Sequence, residues 1–521
     1  MEQSLVLTAT ALWASFAVFA IGLSRHLPRL SFWPAFAVLL CYFGWRIGFT
    51  IAPYRDDLDL NLIWVLIFLV AEIFSVADFV QHSVVKSRTS KRAAASGTDR
   101  PDRSPVAPRQ WSVDLLIPTY NEPVELLRKT LIRAREIDHE NLTINLLDDA
   151  RRSEVRALCN ELGVTYFCRN DNTGAKAGNM NNALPHLKGK FLAILDADFM
   201  AFEHFVRAAL PYFEDPKVGC VQFPQVFYNP DPSQLNSGLF SALRDEQWLW
   251  FRKILPERDM LDLATSCGSC SLVRRSALKK IGGRFPEETI TEDFDLSLRL
   301  LEHGIITRYV DETVAVGLSP FTTQDFFKQR HRWALGNLYA WRRAFLGANK
   351  IKRSDLLLLF EWRLLSLPAR VITFLGPVIV LLFDLWPLKV TSLTEYLVFT
   401  IPFMCLLGSL EVSHGPRSAF GLIAAQSRTL GVAVGLGVQF LLTPFTRRRL
   451  GFNVTPKIAG RQSADPFFLI ILLSALLSAT GLVAGLSRYF ASGGATDSLQ
   501  VVLFWQTYNL LLCLLYTSDA A

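Results

Sequence analysis

Carboxylates recur in this sequence at the ends of short apolar runs. Ile144–Leu147 runs into Asp148-Asp149, Phe191–Leu195 into Asp196-Ala197-Asp198, and Val113–Ile117 into Pro118-Thr119-Tyr120-Asn121-Glu122. Runs of this kind read as strands buried on both faces, where desolvation keeps unpaired carboxylates out of the middle. The acids are therefore expected to emerge together along one edge of a sheet. Clustered carboxylates repel one another unless a cation neutralises them. Oxygen-only donors on an open edge suit a hard divalent ion, Mg²⁺ or Mn²⁺, of the kind that also takes substrate phosphates. An Asp-x-Asp alone arises by chance in surface loops. Here it closes an apolar strand beside two others with polar ends, so Asp196 and Asp198 are expected to form a metal site.

Two further constellations add to this chemistry. Thr291-Glu292-Asp293 precedes an amphipathic stretch with Leu296, Leu298, Leu300 and Leu301. Thr291 is expected to cap that helix, with the acids complementing its dipole. The same placement would fix Asp293 as a general base for a hydroxyl proton. Gln329-Arg330-His331-Arg332-Trp333 sets two guanidiniums and an indole within five residues; Arg holds phosphate oxygens bidentately, and a flat aromatic supports the apolar face of a sugar ring. Together the parts describe transfer of a group from a diphosphate carrier to a hydroxyl, with metal and arginines taking up charge on the departing diphosphate. Cys267-Gly268-Ser269-Cys270 matches C-x-x-C, but without a second pair or histidines in register it reads as packed thiols rather than zinc ligands.

The elements that must position these groups alternate in kind. Val113–Ile117, Ile144–Leu147, Val164–Phe167 and Phe191–Leu195 read as strands, with Asp114 and Asn145 interrupting the first two, while Val124–Arg135 and Ser153–Leu162 read as helices. That alternation predicts an α/β domain over 111–346 with a doubly wound, mostly parallel sheet. In such sheets ligands bind beyond the carboxyl ends of the strands.

The rest of the chain belongs to a membrane. Of 521 residues, 50% are hydrophobic and 19% charged, against roughly 25% charged in soluble domains. Apolar runs at Leu5–Leu23, Phe32–Ile51, Leu62–Val80, Val371–Leu385, Leu397–Leu410, Phe467–Leu486 and Val501–Leu515 are read as α-helical spans of a bilayer core. A wholly soluble protein and a disordered or collagen-like chain are excluded. The first run follows an acidic leader and is too long for a signal-peptide core, so it reads as a retained helix. The stretch Lys86–Arg109 carries seven Lys/Arg against two acids. This reads as a flexible basic linker on an anionic inner leaflet, which puts the α/β domain in the cytosol. The basic excess falls where a membrane protein places it, so the net charge of +7 gives no reason to expect a nucleic-acid partner. His414–Arg461 contains Gln426, Ser427, Arg428 and then Arg447-Arg448-Arg449, and reads as an interfacial helix. The expected division is 1–85 (three spans), 86–110 (linker), 111–346 (α/β domain), 347–465 (interfacial helices, two spans and a loop) and 466–521 (two spans). Few charges fall within the spans, against a transporter's ion pathway. A non-catalytic nucleotide-holding component would be expected to have lost its acids, whereas Asp149, Asp196, Asp198 and Asp293 are all present.

The order Asp148-Asp149, Lys176-Ala177-Gly178-Asn179, Asp196-Ala197-Asp198, Thr291-Glu292-Asp293, Gln329-x-x-Arg332-Trp333 resembles the processive family-2 glycosyltransferases, above all bacterial cellulose synthase catalytic subunits. Phe452-Asn453-Val454-Thr455 resembles that family's gating loop. The resemblance implies a GT-A fold, a UDP-sugar donor (UDP-glucose foremost), a growing glycan as acceptor, Mg²⁺ or Mn²⁺, inversion at the anomeric carbon, and secretion of the polymer through the enzyme's own spans. It further implies an inner-membrane location and a periplasmic or membrane partner subunit. Carried over by position, Thr119, Tyr120, Glu122, Asp148 and Asp149 would contact the nucleotide, with Lys176 close by. Asp196 and Asp198 would hold diphosphate and metal, and Asp293 would be the general base. Gln329, Arg330 and Arg332 would bind diphosphate, Trp333 would stack on the acceptor, and Phe452, Val454 and Thr455 would close over UDP. Two positions depart from the family: Thr265-Ser266 precede Cys267-Gly268-Ser269 where two phenylalanines are usual, and Phe199 follows the Asp-x-Asp in place of a common histidine. The sequence given holds no PilZ domain.

Overall fold

The computed structural model of the protein describes residues 28–51, 60–96, 111–232, 234, 244–347, 350–388, 392–413, 419–442, 466–492 and 496–517. The first predicted span and the loop with Phe452, Val454 and Thr455 lie outside them.

The α/β domain is built on ten strands: β1 (Val113–Thr119), β2 (Leu142–Asp148), β3 (Thr165–Phe167), β4 (Phe191–Ile194), β5 (Phe199–Ala201), β6 (Val218–Gln222), β7 (Val226–Phe227), β8 (Ser271–Arg274), β9 (Ile306–Tyr309) and β10 (Ala315–Gly317). Seven form one sheet in the order β3-β2-β1-β4-β8-β6-β9, and β5-β10-β7 form a second. Within the large sheet β8 alone runs antiparallel to its neighbours, so the reading of a mostly parallel sheet holds. Strand side chains alternate between faces. Leu115 and Ile117 join Leu127 and Leu131 on one side, while Leu116 joins Leu147 and Met180 on the other. The polar interruptions are satisfied locally. Asp114 Oδ2 accepts the Lys188 and Gly189 N–H groups, and Asn145 Nδ2 donates to the Leu115 and Thr143 carbonyls.

Register brings the strand ends level. Thr119 pairs with Asp148 and Leu116 with Ile194, so β1, β2 and β4 all deliver their acids to one edge. Because β8 is antiparallel and Ser271 pairs with both Ile194 and Gln222, the loop before β8 reaches that same edge. Helices Val124–Arg135 and Ser153–Leu162 form as the sequence predicts; Gly163, at φ 66°, ends the second in the left-handed conformation that glycine adopts without strain.

Among the described residues four helices are long and apolar enough to cross a membrane: Leu60–Arg92, Arg363–Phe383, Leu469–Ala491 and Asp497–Leu515. The predicted runs at Phe32–Ile51 and Leu397–Leu410 are also helical, but their apolar stretches, Phe36–Gly48 and Leu393–Leu406, are shorter. One buried ion pair lies in this region. Arg46 Nε donates to Glu72 Oε2 at 2.8 Å, and Tyr42 Oη to Glu72 Oε1 at 2.6 Å, which keeps both charges out of apolar surroundings unpaired.

One expectation needs correction. The first part of the predicted flexible linker, Lys86–Ser96, continues the helix Ala77–Ser96. Its basic side chains find acids on the rest of the fold, Arg88 with Asp355 at 2.9 Å and Arg92 with Asp262 at 2.7 Å, and this docks the segment. The predicted interfacial helix runs Ala419–Val432 and on to Leu442. It is packed into the helical bundle, with Ser427 Oγ donating to the Leu512 carbonyl and Gly437 against the Leu367 backbone.

Candidate active site

The shared sheet edge opens into a cavity of about 190 Å³ lined by Thr119, Tyr120, Glu122, Asp149, Lys176, Asn179, Asp196, Asp198, Cys267, Gly268, Glu292, Asp293, Gln329, Arg332 and Trp333 among others. Residues spread over more than 200 positions of sequence thus converge at one place. Gln329, Arg332 and Trp333 sit at i, i+3 and i+4 on the helix Thr323–Leu346, the spacing that puts side chains on one helix face.

Two of the expected substrate residues are turned elsewhere. Asp148 is fully buried. Its carboxylate accepts the Arg152 N–H at 2.7 Å and the Tyr166 hydroxyl at 3.0 Å, so it braces the strand end instead of facing the cavity. Arg330 is 5% exposed and points to Glu246, with Nε donating to Oε2 at 2.8 Å.

At the end expected to take the nucleotide, Glu122 Oε2 accepts the Thr119 hydroxyl and the Tyr120 N–H. Asp149 receives Nε and Nη2 of Arg169 at 2.6 and 2.9 Å, a bidentate pair. Arg169 also donates to the Thr173 and Ala175 carbonyls, which fixes the turn leading into Lys176.

Positive and negative charge meet at the centre. Lys176 Nζ lies 2.5 Å from Asp196 Oδ1, 2.6 Å from the Gly268 carbonyl and 3.9 Å from Glu292 Oε1. Burial works against its charge, but Asp196, Glu292 and Asp293 outweigh it and hold the ammonium above the ordinary lysine range. Asp293 shows the reverse. Burial, then the Glu292 charge, raise its carboxyl to about 7, while the Phe294 N–H and Lys176 pull it down. A carboxylate poised near neutrality is suited to proton transfer at physiological pH. Burial lowers Arg332 from the usual arginine range, opposed by Glu292, Asp196 and Asp293.

Thr291 precedes the helix Glu292–Glu302, but its hydroxyl makes no capping bond. Asp293 Oδ1 takes the Phe294 N–H at 2.8 Å instead, so the carboxylate predicted as base also fastens its own helix start. The Thr291 side chain packs on Gly336, where an added Cβ would come within 2.6 Å of it.

The loop before β8 is held by two glutamines that sequence reading missed. Gln222 Oε1 accepts the Cys267 N–H at 2.8 Å and its Nε2 donates to the Ser269 carbonyl at 2.7 Å; Gln225 Nε2 donates to the Cys267 carbonyl at 2.8 Å. Thr265 and Ser266, the positions that depart from the family, are buried and do not line the cavity. Cys267 does, its thiol pushed up by burial and accepting the Trp250 Nε1–H. Both cysteines of the C-x-x-C pair are free, Cys270 buried and Cys267 half-buried. Gly268 has φ 78°, and a Cβ there would lie 2.9 Å from Asp293 Oδ2. Gly268→Ala is expected to cost about 1–2 kcal/mol in backbone strain and to displace Asp293. Thermal unfolding run beside turnover would show a lowered Tm with a disproportionate loss of rate.

The site is thus a polar cavity at the carboxyl edge of a mixed α/β sheet, with acids and a cation gathered in it. Residues 191–411 match the family described as glycosyl transferase family group 2. The chain is 39% identical over 241 residues to a cellulose synthase catalytic subunit of Xanthomonas axonopodis pv. citri (strain 306), covering 46% of this chain and 33% of the relative. It is 29% identical over 426 residues to that of Pseudomonas fluorescens (strain SBW25), covering 78% of this chain and 56% of the relative. The matches thus span between about a third and just over half of these relatives' length. Among solved structures, a mannosyltransferase of Pyrobaculum calidifontis in complex with GDP-Man and Mn²⁺ aligns with TM-score 0.43 and 15% identity, covering 87% of this chain and 99% of that one. In sequence the chain is thus similar to glycosyl transferase family group 2 over residues 191–411 and to bacterial cellulose synthase catalytic subunits over a larger part of its length.

Proposed function

We propose that the protein is a membrane-embedded, inverting, processive β-glycosyltransferase. It polymerises sugar from a UDP-sugar, UDP-glucose foremost, into a cellulose-like β-1,4-glucan and moves the polymer across the inner membrane. The observation that carries this reading is the convergence of Asp149, Lys176, Asp196, Asp198, Asp293, Arg332 and Trp333 on one cavity.

The donor set fits a divalent ion. Asp196 and Asp198 supply only carboxylate oxygens, and the Lys176 ammonium on Asp196 Oδ1 shows that this position accommodates positive charge. Among the described residues no three acids, histidines or cysteines are grouped closely enough to hold a metal alone. This suits Mg²⁺ or Mn²⁺, which take one or two carboxylates and complete their shell with phosphates and water. When bound, the ion supplies charge neutralisation for the diphosphate. Asp293 accepts the proton of the acceptor hydroxyl, whose oxygen bonds to the anomeric carbon as the bond from that carbon to the diphosphate breaks. Arg332 and Lys176 hold the departing UDP and its charge. A single displacement of this kind inverts the anomeric centre. Trp333 holds the acceptor's terminal sugar, and Asp149, clamped by Arg169, holds the nucleotide.

Translocation is supported by a second cavity of about 440 Å³ among the membrane helices, lined by Tyr42, Trp386, Tyr396, Phe403, Trp505 and Tyr508 with Arg370, Gln426 and Asn509 among others. Aromatic faces with a few polar groups suit the faces and hydroxyls of a sugar chain. The basic stretch after the third predicted span supports a cytosolic catalytic domain.

Purified protein in lipid vesicles, given a panel of UDP-sugars with Mg²⁺ or Mn²⁺, is expected to release UDP from UDP-glucose and to make a polymer that a β-1,4-glucanase digests. Removal of the divalent ion is expected to stop both. Consumption of no UDP-sugar, or a product of one sugar on a lipid, would overturn the reading.

A further inference from the structure

Arg330 stands inside the Gln329–Trp333 motif yet does not reach the cavity. What it touches is informative. Its guanidinium carbon lies 4.4 Å from the Trp333 ring centroid and 4.6 Å from that of Phe326, and Nη1 donates to Gln329 Oε1 at 2.8 Å. Two of the three cavity-lining residues on its helix, Gln329 and Trp333, are thus braced by Arg330. Arg330 in turn is held by Glu246.

The other oxygen of Glu246 accepts Nη1 of Arg363 at 3.3 Å, and Arg363 Nε donates to Glu361 at 2.7 Å. Arg363 is the first residue of the helix Arg363–Phe383, one of the four long apolar helices. The same helix lines the membrane cavity through Arg370, Thr373, Phe374 and Pro377. Glu246 is itself anchored, its N–H donating to Asp231 Oδ2 at 2.8 Å. Although burial opposes its charge, Arg330, Arg363 and Arg428 hold the carboxyl below the usual range. One carboxylate therefore joins two helices, one presenting Gln329 and Trp333 to the active-site cavity and the other forming a wall of the cavity in the bundle.

We propose that Glu246 is a positioning residue: through Arg330 and Arg363 it sets the acceptor-side face of the helix Thr323–Leu346 in register with the membrane helix Arg363–Phe383. Its effect falls on elongation, not on capture of the donor. An arginine–carboxylate–arginine junction is suited to this because a guanidinium that is stacked on aromatic rings and hydrogen-bonded to a carboxylate has its direction defined as well as its distance, and a shift of about 1 Å at a reacting group costs up to about 100-fold in rate. The inference rests on the glycosyltransferase reading above.

The test uses the full-length protein in lipid vesicles with UDP-glucose and a divalent ion, reading UDP release to water, polymer yield and polymer length. Glu246→Gln keeps the shape and removes the charge. It is expected to lower polymer formation about 10- to 100-fold and to shorten the chains, with KM for UDP-glucose and hydrolysis of the donor to water changed less than about twofold. Glu246→Asp is expected to recover part of the chain length. Arg363→Gln, at a half-exposed position, is expected to shift the products in the same direction by a smaller factor, which keeps the test open should Glu246→Gln fold poorly. Equal loss of hydrolysis and polymerisation, or unchanged chain length in both Glu246→Gln and Arg363→Gln, would overturn the proposal. Absence of UDP-glucose turnover by the parent protein would instead strike the glycosyltransferase reading.

Discussion

Asp293→Asn is expected to lower polymer formation by about 10²- to 10⁴-fold, the range in which general-base catalysis contributes, while leaving UDP binding within a few-fold. Asparagine preserves size and can still accept the Phe294 N–H that fastens the helix start, so the fold should survive. The pH profile provides a second check. Only the ionised carboxylate can take a proton, so the rate with subsaturating donor should fall as pH drops through about 7, where burial and Glu292 place this group. Removing the neighbouring negative charge in Glu292→Gln favours ionisation and should move that acid limb to lower pH. A profile fixed in position by Glu292→Gln, or parent-like activity in Asp293→Asn, would remove Asp293 from the role of base.

Arg332→Ala is expected to lower kcat by about 10²- to 10³-fold, as loss of one preorganised charge at a developing anion does. Arg332 lines the cavity with Gln329 and Trp333, and burial there strengthens its electrostatic effect. Arg332→Lys should recover only part of the rate, because a point-charge ammonium does not reproduce the guanidinium fork. Arg330 offers the contrast within the same motif. It braces Trp333 from outside the cavity, so Arg330→Lys should act on chain length more than on UDP affinity. Steady-state kinetics with UDP-glucose, analysed beside product length, separates the two arginines.

Much of the catalytic edge is legible in the amino-acid sequence, because its determinants are local. Apolar runs followed by acids declare where β1, β2 and β4 end, since burying a charge mid-strand is costly. The spacing of Gln329, Arg332 and Trp333 declares one helix face. Arg330 and Asp148 read as substrate contacts on motif membership alone, and that signal cannot report direction. A side chain one residue off a helical face points some 100° away, and Arg330 found Glu246, a residue 84 positions earlier. Gln222, Gln225 and Arg169 carry no signal at all, because a lone amide or guanidinium gains meaning only from the backbone groups it meets. The linker misreading has the same origin. Lys86–Arg92 looks solvated in isolation, but Asp262 and Asp355 give its charges partners.

By itself the sequence determined the alternation of strand and helix, the acids at the strand ends and the apolar lengths suited to a bilayer, because periodicity, desolvation and chain reach act within a few residues. Only the tertiary structure decided that Lys176 lies among Asp196, Glu292 and the Gly268 carbonyl, that antiparallel β8 brings its loop to the same edge, and that Glu246 joins the helix Thr323–Leu346 to the apolar helix Arg363–Phe383. Those facts depend on sheet order and on long-range pairing of buried charges. Such pairing is dictated by which groups lack water and lie near each other in space, whatever their separation along the chain.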